Sequence, residues 1–434
     1  MRQIAVLHAF VDGDAYSLRI AMIDVLGTLI RHLAKDLAMQ TDNNTSNGAS
    51  TAAAAEADMD ADKTQREIES FFELIHERFL DLNAFVRAKV TSVLLKLCDL
   101  PPSAGKLPAV RLRTLELATR ALRDKSSHVR KGALALVTRL VQTHAYGRLH
   151  GGELRRADWQ ARLDGIQSEM RKLGIPDGEQ DDQPGDREAR KLLANADADD
   201  GDAEDNEVAT KDIRDTSDTS DTEGTEKKKR RPRRSLLDLD VTAQDDALAA
   251  IPPETLTRVR LTRRYYVDAL AFVAVVERAV PVAAELIASS VRAEVLEAID
   301  LFKTLHEYRV ESAEMGIRRM LHLIWSKDDP APTTASADAA PPAATTGGAE
   351  PETGGGKGIR SRLIECYSQL YFEPLEGLAP KDQVNRVAKN MIELTRDATL
   401  AELTSLEQLI AVMMARGSVE DEVVQRLWSV YRAS

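Results

Sequence analysis

One helical pattern recurs along this chain and limits the folds open to it. In its clearest copy, Val129 is followed by Arg130 and then by apolar residues four, seven, eight and eleven positions after the valine. These offsets return to one face of a helix with 3.6 residues per turn. A single amphipathic helix can show this face by chance, but four further copies predict stacked helices. They open with Leu18-Arg19, Val86-Arg87, Val291-Arg292 and Ile359-Arg360, and a weaker sixth copy opens with Ile317-Arg318.

The turns before these helices also repeat. Arg130 lies 43 residues after Arg87, and Asp81 and Asp124 each lie five residues before the valine of their copy. A period of about 40–47 residues is typical of HEAT and armadillo helix pairs. We expect each arginine to bind an aspartate of its own or a neighbouring repeat and so tie the stack together. The predicted fold is all-α, a HEAT-repeat α-solenoid of stacked antiparallel helix pairs interrupted by disordered inserts.

Composition divides the chain into repeats and inserts. We predict HEAT helices at 1–40, 63–175, 251–329 and 358–434. The segments between them, at 41–62, 176–250 and 330–357, are polar or rich in Ala, Pro and Gly, so we predict disorder there. Within the repeats, Pro281 is expected to end a long helix, and Thr399 with Glu402 has the capping-box pattern. The apolar helical patterns at both ends lack polar caps, which suggests a middle portion of a longer array.

The charge of the chain is concentrated in the second insert. The net charge is −12, yet residues 177–226 alone carry 19 acidic and 5 basic side chains. A basic run, KKKRRPRR, follows at once. It predicts a nuclear localisation signal, although a solvated charge run is the plainer interpretation. Its basic residues are Lys227, Lys228, Lys229, Arg230, Arg231, Arg233 and Arg234.

No residue pattern indicates an enzyme. The segment SAGK at 103–106 lacks the spacing of a phosphate-binding loop, and the eight histidines are scattered. Cys98 and Cys366 lie on apolar helical faces, as expected in a reducing compartment. No run approaches 18 apolar residues, so no membrane partner is expected. We likewise expect no metal, no cofactor and no small-molecule substrate.

Basic residues concentrate around two of the repeated helices. The candidates for contact with a DNA backbone are Arg87, Lys89, Lys125, Arg130 and Lys131. Ordinary solvated helix exteriors would look the same. In the Val129 copy, the outward residues Lys125, His128 and Lys131 are the ones expected to carry any function, whereas Arg130 is expected to be architectural.

Several of these segments resemble a known family. DLNAFVRAKVTSVLLKLCDLP, RRYYVDALAFVAVVERAVP, MLHLIWSKD and ATLAELTSLEQ are similar to the D-type HEAT-repeat regulatory subunit of condensin, condensin complex subunit 1. The resemblance implies a non-catalytic scaffold that binds the kleisin subunit, contacts the SMC ATPase subunits and engages chromatin DNA in mitotic chromosome condensation. It also implies a nuclear and chromosomal location, with a cytoplasmic one between mitoses as an option.

Two alternatives stay open. One is a different chromosomal HEAT adaptor, either of the condensin II type or associated with cohesin. The other is a transport-receptor-like solenoid that binds basic peptides. The second would need acidic residues on its inner helix faces, whereas most of the acidity here lies in an insert.

Overall fold

A computed structural model describes residues 13–46, 51–100, 108–173, 253–327, 358–375, 377–417, 419 and 421–433. Every regular element in these ranges is a helix. The helices are α1 (Tyr16–Ser46), α2 (Thr51–Glu77), α3 (Ala84–Leu97), α4 (Pro108–Ala121), α5 (Ser127–Gln142), α6 (Gly147–His150), α7 (Arg156–Lys172), α8 (Pro253–Leu286), α9 (Arg292–Glu307), α10 (Ala313–Met320), α11 (Ile359–Tyr367), α12 (Pro380–Thr395), α13 (Leu400–Ala415) and α14 (Asp421–Ala433). Short 3-10 turns, Arg78–Leu80 and Leu321–Trp325, follow α2 and α10, and a π turn, Ser368–Phe372, follows α11.

The chain divides into two compact units. The first comprises residues 1–159 and 268–434, and the second comprises residues 160–267. In the second unit, Met170 of α7 and Val259 of α8 form a small apolar core with Ile166 and Leu256 packed against it. The repeated helices all belong to the first unit.

The five helices of the sequence pattern form one continuous layer in the first unit. Helix α1 packs on α3, α3 on α5, α5 on α9, and α9 on α11. Helices α2 and α4 pack behind α1 and α5 and touch each other. The predicted apolar faces of the middle copies are fully buried at Val86, Val90, Val129, Ala133 and Leu136. This layered arrangement confirms the all-α solenoid expected from the repeat.

Small residues let the stacked helices approach closely. A Cβ atom placed on Gly27 of α1 would collide with Val93 of α3, and one placed on Gly132 of α5 would collide with Thr91 of α3. Helix α3 is therefore held between two glycines, one from each neighbour. The absence of a side chain at these points sets the spacing of the stack.

Helices α5 and α9 pack although they are far apart in the chain. The segment after α5 reaches α9 through the Leu154 N–H, which donates to the Tyr308 carbonyl at 2.7 Å, while the Tyr308 hydroxyl donates to the Gln142 carbonyl at 3.1 Å. His144 lies against the Tyr308 ring with centroids 5.3 Å apart. Aromatic residues make up 4% of the chain, so this ring contact is a local reinforcement of the packing of α5 on α9.

The first and sixth copies of the pattern differ from expectation. In α1 the buried residues include Ile23, Leu26 and Ile30, whereas Leu18, Val25 and Leu29 of the predicted face are exposed. Among the described residues α1 has a stack neighbour on one side only, so part of its apolar surface is uncovered. The sixth copy, α10, does not join the layer. It packs on α9, and the following 3-10 turn packs on α11 and α13.

Two predicted boundaries are corrected, and one cap is confirmed. Helices α1 and α2 extend into the predicted loop 41–62, covering 41–46 and 51–62. The sequence at 51–62 is rich in alanine, the strongest helix former, which favours the helical start of α2. Helix α8 continues through Pro281 to Leu286, since the residues around the proline, Val280, Val282 and Ala283, are buried. The Thr399–Glu402 capping box is present at the start of α13. The predicted inserts 176–250 and 330–357 lie outside the described residues.

Candidate functional site: the turn edge of the stack

The turns that precede α1, α3 and α5 lie side by side and form what we call the turn edge. In each turn, one arginine closes the loop by donating to two backbone carbonyls five and six residues earlier. Arg87 donates to the carbonyls of Asp81 at 2.6 Å and Leu82 at 3.2 Å, and Arg130 donates to those of Asp124 at 2.7 Å and Lys125 at 3.1 Å. Arg19 makes the same pair of contacts with Gly13 and Asp14. The repeated arginine thus shapes the turn in all three copies.

The same guanidinium groups also bind an acid of the next repeat. Arg19 pairs with Asp81 at 2.8 Å, and Arg87 pairs with Asp124 at 2.7 Å, each through two nitrogens. Planar bidentate pairing of this kind has strong geometric preferences, so it orients neighbouring repeats as well as attracting them. The prediction that Arg and Asp tie the repeats together is confirmed.

We call the row of arginine–acid pairs along the turn edge the ladder, and each pair a rung. The third rung uses a different acid. Arg130 pairs at 2.7 Å with Glu294, a fully buried residue of the first turn of α9. The Ser289 hydroxyl also donates to the Glu294 carboxylate. Glu294 was not singled out in the sequence because it follows its own apolar-Arg pair instead of preceding it. The serine pair at the turn before α9, in place of an aspartate, is the one local signal that the rung changes.

One acid of the ladder, Asp124, is held in its charged form. Burial alone raises the pKa of the Asp124 carboxyl, but hydrogen bonds from Arg87 and from the Ser126 N–H outweigh it, so the pKa lies below its usual value. The side chains of Asp81 and Asp124 are 4% and 12% exposed, so neither carboxylate offers much charge to solvent. The ladder leaves the turn edge without an accessible acid from these two residues.

The five candidate DNA-contacting residues occupy different environments. Arg87 and Arg130 belong to the ladder, and their side chains are 16% and 21% exposed. Lys89 pairs with Asp24 of α1 at 2.7 Å. Lys125 is exposed on the turn edge, and Lys131 is half-buried on α5. The structure therefore brings Arg87, Lys125 and Arg130 to one edge, and contact of any of the five with DNA stays a prediction. The candidate localisation signal, 227–234, lies outside the described residues.

Metal sites, membrane spans and reactive cysteines are the other kinds of site that a helical chain could hold. Within the described ranges no group of three His, Cys, Asp or Glu side chains could hold a metal ion. No helix in the described part of the chain is long and apolar enough to cross a membrane. Burial raises the pKa of the Cys98 thiol to about 11 and that of the Cys366 thiol to about 12, so both cysteines are protonated core residues.

Curated relatives align with the chain from end to end. It is 30% identical over 431 residues to condensin complex subunit 1 of Schizosaccharomyces pombe, which covers 99% of this chain. It is 25% identical over 434 residues to condensin complex subunit 1 of Saccharomyces cerevisiae, which covers all of it. Along its whole length, the chain is homologous to condensin complex subunit 1.

A plant protein is also similar to this chain along almost its full length. The condensin-1 complex subunit CAP-D2 of Arabidopsis thaliana is 22% identical over 99% of the chain. The chain spans about a third of the length of the yeast condensin subunits, 31% of each. No family model matches. Among solved structures, a crystal structure of an engineered protein aligns over 96% of the chain at 9% identity, with a TM-score of 0.33 that is too low to support an argument about the fold.

Proposed function

We propose that this chain is a non-catalytic HEAT-repeat scaffold of the condensin complex. In this role it binds the kleisin subunit and the SMC ATPase subunits and acts on chromatin DNA in mitotic chromosome condensation, in the nucleus and on chromosomes. The observation that carries the proposal is the end-to-end similarity to two yeast proteins named condensin complex subunit 1. The stacked helices support it, because a layered solenoid offers a long surface for other chains.

Co-purification tests the proposal. Epitope-tagged full-length protein, isolated from dividing cells, is expected to bring down a kleisin and two SMC ATPases in near-equal amounts. ATP hydrolysis in the isolated complex is expected to disappear when the ATPase sites of the SMC subunits are inactivated. Recovery of cohesin subunits, or of no SMC protein, would contradict the condensin assignment. ATP hydrolysis by the purified chain alone would contradict the non-catalytic role.

Contact with DNA is the second part of the proposal. Lys125 and Lys131 are the candidates that the ladder leaves most available, and phosphate contacts by such lysines make binding depend on salt. For Lys125→Glu/Lys131→Glu in the full chain, we expect weaker binding to duplex DNA and a salt slope that falls by about 2 between about 50 and about 200 mM salt.

A lysine away from the turn edge provides the control. Lys35 is exposed on α1, about 28 Å along the helix from its first residue, so Lys35→Glu changes the net charge without changing the edge. Lys35→Glu makes half the charge change of the double variant. If it has half of the double variant's effect or more, only total charge matters, and the assignment of DNA contact to Lys125 and Lys131 would then be wrong.

A further inference from the structure

Large apolar side chains stand exposed on the turn edge. Leu82 is 99% exposed, Leu80 is 83% exposed and Phe85 is 65% exposed. Tyr16 of α1 is half-exposed, and its ring lies 6.4 Å from that of Phe85. Single exposed apolar residues are common on folded proteins, but neighbouring ones on consecutive turns mark interaction sites more often. We call these four residues the apolar group.

The fold does not need the apolar group. The start of α3 is already capped, since the Asn83 side chain accepts from the Phe85 N–H at 2.8 Å and the Asp81 side chain accepts from the Asn83 N–H at 2.8 Å. Helix α3 is flanked in the stack by α1 and α5. If further repeats stacked on the free side of α1, they would cover its exposed stripe at Val25 and Leu29. They would not cover the turn edge.

The next repeat carries basic residues at the same positions. Counting 43 residues on from Leu80, Leu82 and Phe85 leads to Arg123, Lys125 and His128, and all three are exposed. The two sets lie close together, because the Arg87 guanidinium binds the Leu82 carbonyl on one side and the Asp124 carboxylate on the other. At the equivalent place in the α1 turn stands an exposed acid, Asp14. Charge along the edge therefore runs from acidic, through apolar, to basic.

We propose that the turn edge binds a linear peptide segment of a partner protein, in which leucine or aromatic anchors lie a few residues from a group of acidic residues. The anchors cover Leu82 and Phe85, and the acidic end pairs with Arg123 and Lys125 of the next turn. Packed helices stand about 8–10 Å apart, a distance that three or so extended residues span. The acids Asp81 and Asp124 are turned into the ladder and do not repel the peptide. Contact of Lys125 with a DNA phosphate would not involve Leu82 or Phe85, since phosphates gain nothing from apolar side chains, so the apolar group points to a peptide.

Selection from a displayed library of random peptides on the full-length protein tests this proposal. We expect enriched sequences to share one or two leucine or aromatic residues with acidic residues a few positions away on one side. A synthetic peptide with that consensus is then titrated by fluorescence anisotropy. Leu82→Ser/Phe85→Ser is expected to weaken its binding about tenfold or more, and Arg123→Glu/Lys125→Glu to weaken it similarly and remove its salt dependence.

Matched controls keep the test decisive. Leu400→Ser removes another exposed leucine, 79% accessible and far along the chain, and is expected to leave peptide binding unchanged. The substituted side chains are exposed, so the thermal unfolding midpoints should stay the same. The proposal is overturned if no peptide is enriched, if the consensus is basic, or if the apolar variant binds the peptide as well as the unmodified protein does. It is also overturned if Leu82→Ser/Phe85→Ser weakens the binding of duplex DNA as much as the binding of the peptide, because the apolar group would then be part of a nucleic-acid surface. These outcomes do not depend on co-purification with condensin.

Discussion

The stack from α1 to α9 and the region from α10 to α14 are built from similar helices but are joined differently. In the stack, consecutive repeats are linked by arginine rungs at Arg19, Arg87 and Arg130, and glycines allow close contact. Beyond α9, the link from α9 to α11 is Arg362 with Asp300, at 2.6 Å, and both side chains are about a third exposed. A 3-10 turn and a π turn also interrupt the helices there. Uniform turn chemistry accompanies uniform stacking, and the layer loses its regularity where that chemistry changes.

The buried rung is the place where the stack should break most easily. Arg130→Ala leaves the carboxylate of Glu294 buried without its partner, and we expect a loss of about 3–5 kcal/mol in the free energy of unfolding. Urea unfolding followed by circular dichroism measures it. The double variant Arg130→Met/Glu294→Leu should recover most of the loss, because apolar residues of similar volume replace both charges. A single variant as stable as the double one would show that the pair contributes little.

A buried histidine makes the stack sensitive to acid. Burial, with a contribution from the charge of Arg113, lowers the pKa of His76 to about 4, and its Nε2 lies 2.8 Å from the Thr114 hydroxyl. Between about pH 6.5 and about pH 4 the unfolded chain binds a proton that the folded chain does not, so stability falls as the pH falls. The difference between the pKa values of His76 in the unfolded and the folded chain corresponds to a loss of about 3 kcal/mol in the free energy of unfolding by about pH 4.

The variant His76→Gln should reduce this pH dependence, since glutamine can still bond to Thr114 but does not titrate. Burial also lowers the pKa of His144 to about 4, so part of the dependence should remain. His128→Gln, on an exposed residue, is the control. Unfolding free energies measured across this pH range compare the two. An unchanged slope in His76→Gln would show that His76 is not the residue responsible.

The close contact of α3 and α5 offers a test of spacing. Gly132→Ala places a methyl group against Thr91, and we expect a loss of about 2–3 kcal/mol through overpacking. Gly165 of α7 provides the matched control, because a Cβ there meets no atom within 4 Å. Gly165→Ala should stabilise its helix by up to about 1 kcal/mol. Thermal unfolding of both variants gives the comparison, and a stabilising Gly132→Ala would show that the stack can widen without cost.

The smallest effects on stability are expected when an ion pair of the stack is compared with the more exposed pair beyond α9. Arg87→Ala removes the contacts to Asp124 and to the turn carbonyls, and about 1–2 kcal/mol is expected to be lost. Arg362→Ala removes a more exposed pair and should cost less than about 1 kcal/mol. In Arg87→Ala the pKa of Asp124 should also rise, because the hydrogen bond that lowers it is gone. NMR titration of the carboxyl carbon reads this out, and equal losses in the two variants would remove the distinction between the two regions.

Local pattern determined the repeated helices and the turn chemistry. The apolar-Arg openings identified all five members of the layer, because an amphipathic face depends only on residues within one helix. The Asp81 and Asp124 spacing identified two rungs of the ladder, because the same residues recur at the same place in consecutive repeats. The Thr399–Glu402 cap was predictable for the same reason. Short-range geometry of this kind is written in a few neighbouring residues.

Contacts between distant residues were decided by the tertiary structure alone. Glu294 replaces an aspartate as the partner of Arg130 from 164 residues away. The serine pair before α9 is the one local signal, and it indicates a missing aspartate without identifying Glu294 as its replacement. The sixth copy has the pattern but packs outside the layer, and α8 passes through Pro281 because burial of its neighbours outweighs the local cost of proline. The exposure of Leu82 and Phe85 likewise follows from what lies beside α3, not from the turn itself. The sequence alone therefore determined which segments are repeats. The packing partners decided which of their faces are core, which charges are paired, and which edge is left open to another molecule.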